Sequence, residues 1–84
     1  MPLECAGRAP EVNAVTIGDG ELAAELLDAQ GQPLPGFGRA DCLAFRGDEQ
    51  RARLAWRGGS TCTAKWVSVR FYLRRVRLFG FAFA

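Results

Sequence analysis

The chain has 84 residues, a formal net charge of +2, and 49% apolar residues that include six Phe, two Trp and one Tyr. That length excludes two domains, and that content of large side chains excludes a disordered chain, so residues 1–84 read as one module. A core of this size contributes roughly 3–5 kcal/mol before any staple, which makes burial against a second copy, a homodimer, the expected supplement.

Residues 11–17 predict a short strand and Gly18-Asp19-Gly20 a loop. In residues 21–27, E-L-A-A-E-L-L, propensity and context disagree. Ala, Leu and Glu favour a helix, but the run is short and ends in Asp28-Ala29-Gln30-Gly31, a type I turn that closes a bulged hairpin. The turn chemistry makes the run a strand, with Leu22, Ala24 and Leu26 on one face. Pro33 and Pro35 deny ladder hydrogen bonds, so the return is an edge strand or a short extended passage. Gly36-Phe37-Gly38 then turns the chain, with Phe37 as an anchor beneath it.

Residues 39–48 show no period and predict an irregular connection pinned by Cys42, Leu43 and Phe45. Residues 51–57 alternate Arg with Ala52, Leu54 and Trp56, which point inward until Gly58-Gly59 stops the strand. Residues 65–74 give the clearest pattern: Val67, Val69, Phe71 and Leu73 alternate with Ser68, Arg70, Tyr72 and Arg74, one face core and one wet. Beyond them Val76 and Leu78 fall at even positions, and Phe79, Phe81 and Phe83 at odd ones. That switch beside Gly80 predicts a bulge, and the aromatic run predicts a central or buried terminal strand. The sum is an all-β chain, an antiparallel β-sandwich of about five to seven strands.

Several chemistries lack their ingredients. With no His, and with Cys5, Cys42 and Cys62 widely spaced, neither a zinc site nor a disulfide framework is expected, and buried thiols are. Asp41 and Asp48 flank one loop but read as turn residues rather than as the paired carboxylates of glycoside hydrolysis. Cys42 and Cys62 have no imidazole to activate them. Gly58-Gly59-Ser60 has neither the spacing nor the Lys of a phosphate loop. The expectation is a non-enzyme without cofactor or metal. With no signal pattern and no apolar run of membrane-spanning length, a soluble cytoplasmic protein with no membrane partner is expected.

Charge is unevenly placed. Residues 1–45 carry two basic and seven acidic residues, net −5, whereas residues 46–84 carry nine and two, net +7. Acidic and basic strands lying side by side would neutralise each other, and this is the favoured arrangement because the basic residues alternate with apolar ones. The competing reading is a basic patch of Arg70, Arg74, Arg75 and Arg77 which, with Trp66 and Tyr72, has the ingredients of a single-stranded nucleic-acid surface. It ranks below a glycan surface in which Trp66 and Tyr72 stack on a sugar ring beside Arg70.

The series G-E-L-A-A-E-L-L-D-A-Q-G-Q-P-L-P-G-F (20–37), D-C (41–42), R-G-D (46–48), W-R-G-G-S (56–60), V-R-F-Y-L-R (69–74) and L-F-G-F-A-F (78–83) resembles the C-terminal module of some bacterial glycosidases related to glycoside hydrolase family 32. Pro2-Leu3, Gly7-Arg8 and Val12-Asn13 are similar to the usual beginning of that module. The resemblance implies a jelly-roll-like antiparallel sandwich. It brings no catalytic residue, because the family's carboxylates sit in a propeller domain that this chain lacks. Two departures stand out: the 60–64 loop is shorter than usual, and Arg75 and Arg77 stand where acidic residues are common. The reading is a non-catalytic structural or interaction module that self-associates, with glycan binding as the alternative and nucleic-acid binding third.

Overall fold

The computed structural model describes residues 3–5, 7–59 and 64–84; Cys62 and residues 60–63 of the loop noted above lie outside them. Among the described residues there are six strands: β1 (Leu3–Glu4), β2 (Pro10–Leu27), β3 (Cys42–Leu43), β4 (Asp48–Arg53), β5 (Ala55–Trp56) and β6 (Trp66–Phe83). A 3₁₀ turn at Arg39–Asp41 precedes β3. Every pairing is antiparallel, in a sheet of order β1-β6-β2-β4 and a small β3-β5 pair. The all-β, antiparallel expectation is met.

Two strands dominate. β2 and β6 have 18 residues each and pair along nearly their whole length. A straight strand of that length would span about 60 Å, yet the molecule's longest extent is 34 Å. The ribbon must therefore bend, and the bend falls where the register jumps between the pairs Thr16↔Val76 and Glu21↔Arg74. There Gly18 takes φ +60° and Arg75 φ +49°, and a Cβ on Gly20 would collide with the carbonyl oxygens of Arg74 and Arg75. Glycine is required at position 20 by that close approach. The predicted 18–20 loop is thus an irregularity inside one strand rather than a break between two.

Bending brings the two halves of the ribbon face to face. Phe71 and Phe81, in opposite halves of β6, meet edge to face with centroids 5.0 Å apart, where a straight strand would hold them roughly 33 Å apart. Val12 and Ala14 from one half and Leu22, Ala24 and Leu26 from the other are buried in one core with Leu54, Trp56 and Val67. Trp56 is its largest member. Its indole Nε1 donates to the Ala24 carbonyl at 3.0 Å, and Phe37 packs edge to face on its ring.

The turn chemistry reads as expected. Gly31 N–H donates to the Asp28 carbonyl at 3.0 Å, Gly31 has φ +79°, and Asp28 Oδ1 accepts from the backbone N–H of Gln30 and Gln32. The return passage is short: Pro33 bridges Leu27, and Leu34 N–H reaches the Leu26 carbonyl. Ala52, Leu54 and Trp56 point inward as predicted, although their strand is divided. β4 pairs with β2, and β5 with β3. The parity switch is a bulge, because Asn13 faces Gly80 while Ala14 faces Leu78, leaving Phe79 as the extra residue.

Burial of β6 departs from the pattern. Val67 is buried, but Leu73 is 52% exposed, and in the terminal run Phe79 and Phe81 are 65% and 42% exposed. Alternation shows which face a residue shares; it does not show whether anything covers that face.

Candidate functional site

The outer face of the ribbon's inner half, around the pairs Glu21↔Arg74, Ala23↔Tyr72 and Glu25↔Arg70, carries a polar network. Cross-strand partners share a face, so this register puts acids of β2 beside bases of β6. Glu25 is 7% exposed. Its Oε1 accepts from the Tyr72 hydroxyl at 2.6 Å and lies 3.5 Å from Arg70, while Oε2 accepts from the Arg39 backbone N–H at 3.1 Å. The Tyr72 hydrogen bond leads in holding the Glu25 carboxyl below its ordinary range, with help from the Arg39 N–H and the guanidinium charges, against an opposing push from burial. Arg39 also lies 4.1 Å above the Tyr72 ring, a cation–π contact.

The same neutralisation continues toward the bend. Glu21 pairs with Arg46 at 3.0 Å and Arg74 at 4.0 Å, and Asp19 pairs with Arg75 at 2.7 Å. Arg74 also donates to the Asp19 carbonyl. Three members of the predicted basic patch, Arg70, Arg74 and Arg75, are therefore paired with carboxylates of β2, whereas Arg77 stands exposed opposite Val15. A cleft of about 390 Å³ opens beside this network, lined by Glu21, Ala23, Arg39, Cys42, Tyr72 and Arg74. Burial pushes the Cys42 thiol up, against a partly offsetting hydrogen bond in which Ala24 N–H donates to Sγ at 3.4 Å. A protonated thiol is a poor nucleophile.

The predicted glycan-binding residues do not converge. Tyr72 and Arg70 belong to the Glu25 network, whereas Trp66, 53% exposed, sits six residues along β6 beside the Asp28-Ala29 turn, at a pocket of about 180 Å³. Six residues of strand separate Trp66 from Tyr72 by about 20 Å. Among the described residues no group of three His, Cys, Asp or Glu is placed to hold a metal ion, and no helix is long and apolar enough to cross a membrane. Asp41 ends the 3₁₀ turn, and Asp48 opens β4 opposite Val15.

The second surface is the far edge of β6. One edge pairs with β2; the other meets β1 only at Trp66 and Val67. Among the described residues, no strand covers that edge over residues 68–83. Leu73, Phe79 and Phe81 are exposed along it. The arginines lie at positions 70, 74, 75 and 77, and residues 78–84 carry no charge at all. Sequence reading missed this edge, and it missed Glu25 and Arg39 as partners of Tyr72, since both depend on strand order and register. The uncharged aromatic run was the available signal.

No family model matches the chain, and neither does any curated protein or solved structure.

Proposed function

We propose that the chain is a non-catalytic interaction module of the β-sandwich type, jelly-roll-like and derived from a glycosidase accessory domain, that associates with a second copy through the free edge of β6. One observation carries the reading: a long strand whose edge over residues 68–83 is open among the described residues, with exposed Phe79 and Phe81 and no charged side chain over residues 78–84. Soluble proteins blunt such edges with charge, cover or shortness, because bare backbone groups template pairing with another chain. Here the arginines blunt only the middle of β6. The folded ribbon, with its two halves facing across one core, supports the sandwich part of the reading.

Sedimentation equilibrium across a concentration series tests the proposal. A monomer–dimer equilibrium unaffected by fructans is the expected result, and a monomer at every concentration would overturn it. The exposed Trp66 beside its small pocket favours glycan binding as the second reading. Under that reading, glycans quench Trp fluorescence and Trp66→Ala abolishes the response. Pairing of Arg70, Arg74 and Arg75 with carboxylates leaves less free positive charge for a phosphate backbone, so nucleic acid ranks last.

A further inference from the structure

We infer that the dimer forms by antiparallel pairing of residues 76–83 of β6 with the same residues of the second copy, about a two-fold axis between the Phe79–Gly80 pair of one chain and that of the other. This inference rests on the self-association proposed above and adds the register. The faces of the segment are fixed by its partners in β2. Phe81 and Leu78 stand opposite the buried Val12 and Ala14, and Phe83 opposite the buried Pro10, so these three share the core face, with Val76 one alternation further along opposite Thr16. Arg77, Gly80 and Ala82 stand opposite Val15, Asn13 and Glu11 on the outer face, with Phe79 bulged beside Gly80.

Antiparallel partners must share a face. One alignment satisfies this for all eight residues: Val76 against Phe83 of the second copy, Arg77 against Ala82, Leu78 against Phe81, and Phe79 against Gly80, each pair occurring twice. Sliding one strand by one residue sets Leu78 against Gly80 or Ala82 and mixes core-facing with outer-facing side chains at every pair but the central one, where Phe79 or Gly80 meets its own copy. In the matched alignment Phe79 lies across the other copy's Gly80, an aromatic ring covering a residue without a side chain.

Charge restricts the register further. In the matched alignment no arginine meets an arginine: Arg77 faces Ala82, and Arg75 falls opposite Ala84. Sliding the pairing toward residues 70–77 would set Arg74 near Arg77 of the other copy, and like charges placed opposite are destabilising. The arginines thus guard the middle of the edge and leave its end open to a copy of itself. A two-fold axis joins the same patch on both chains and closes the assembly. The sheet order through this layer becomes β4-β2-β6 followed by β6-β2-β4 of the second copy.

The test mixes Arg77→Cys chains with Ala82→Cys chains under mild oxidation and locates new disulfides by peptide mass mapping. The inference predicts a 77–82 link in the mixture well above the 77–77 and 82–82 links of either variant alone, because those positions lie about 17 Å apart in the matched register. Phe79→Lys, at an exposed position, is expected to weaken dimerisation at least tenfold in sedimentation while leaving the circular dichroism spectrum unchanged. A dimer without the 77–82 link overturns the register and leaves self-association standing. A wild-type monomer overturns both.

Discussion

β2 and β6 are equally long, paired with each other, and differently treated by the rest of the chain. β2 is flanked on both sides: β6 runs along one edge, and β4, Phe45 and the 33–37 passage occupy the other. It supplies Val12, Ala14, Leu22, Ala24 and Leu26 to the core. β6 has one continuous neighbour and leaves Trp66, Leu73, Phe79 and Phe81 exposed, although it is the more aromatic strand. Burial in a sheet therefore follows from position in the strand order more than from hydrophobicity. The strand with the greater apolar content stands at the edge, where its excess is available to a partner.

The largest effect is expected where the β2 side of the comparison is most dependent on packing. Trp56→Ala empties the centre of the core and leaves the Ala24 carbonyl without its indole donor. A cost of about 3–5 kcal/mol should show as loss of the cooperative urea transition. Next comes the bend that lets both strands share one core. Gly20→Ala forces the Arg74 and Arg75 carbonyls apart, and a drop of about 1–3 kcal/mol in unfolding free energy is expected by urea titration.

Glu25 joins the two strands electrostatically, and Glu25→Gln should cost about 1–2 kcal/mol at neutral pH. Its carboxyl is held below the ordinary range in the folded chain. The unfolded state therefore binds the proton first as pH falls, and the stabilisation is complete above the unfolded-state pKa and lost as pH drops through the folded one. The gap between wild type and Glu25→Gln should close in acid, measured by denaturation at successive pH values. Phe79→Lys, on the open side of β6, is expected to change monomer stability by under about 0.5 kcal/mol, so its effect should appear in association alone.

Local chemistry made much of this legible in the sequence. The Asp28 to Gly31 turn, the inward Ala52-Leu54-Trp56 series and the bulge at Phe79 are each written in a few adjacent residues. The bend at residues 17–20 was not, because Gly18-Asp19-Gly20 has the composition of an ordinary loop and the opposing Arg75 lies more than fifty residues away. Cross-strand neutralisation was foreseen from the charge halves, yet the choice of Glu25 for Tyr72 and Arg70 needed the register. Exposure of Leu73 and Phe81 required knowing that, among the described residues, no strand lies beyond β6 over residues 68–83.

Hydrogen–deuterium exchange at low and high protein concentration tests the edge most directly, since it reads backbone amides one segment at a time. The account predicts that amides of residues 76–83 facing away from β2 exchange quickly when dilute and become protected as concentration rises, while residues 21–27 of β2 stay protected throughout. Equal exchange of residues 76–83 at every concentration would contradict it.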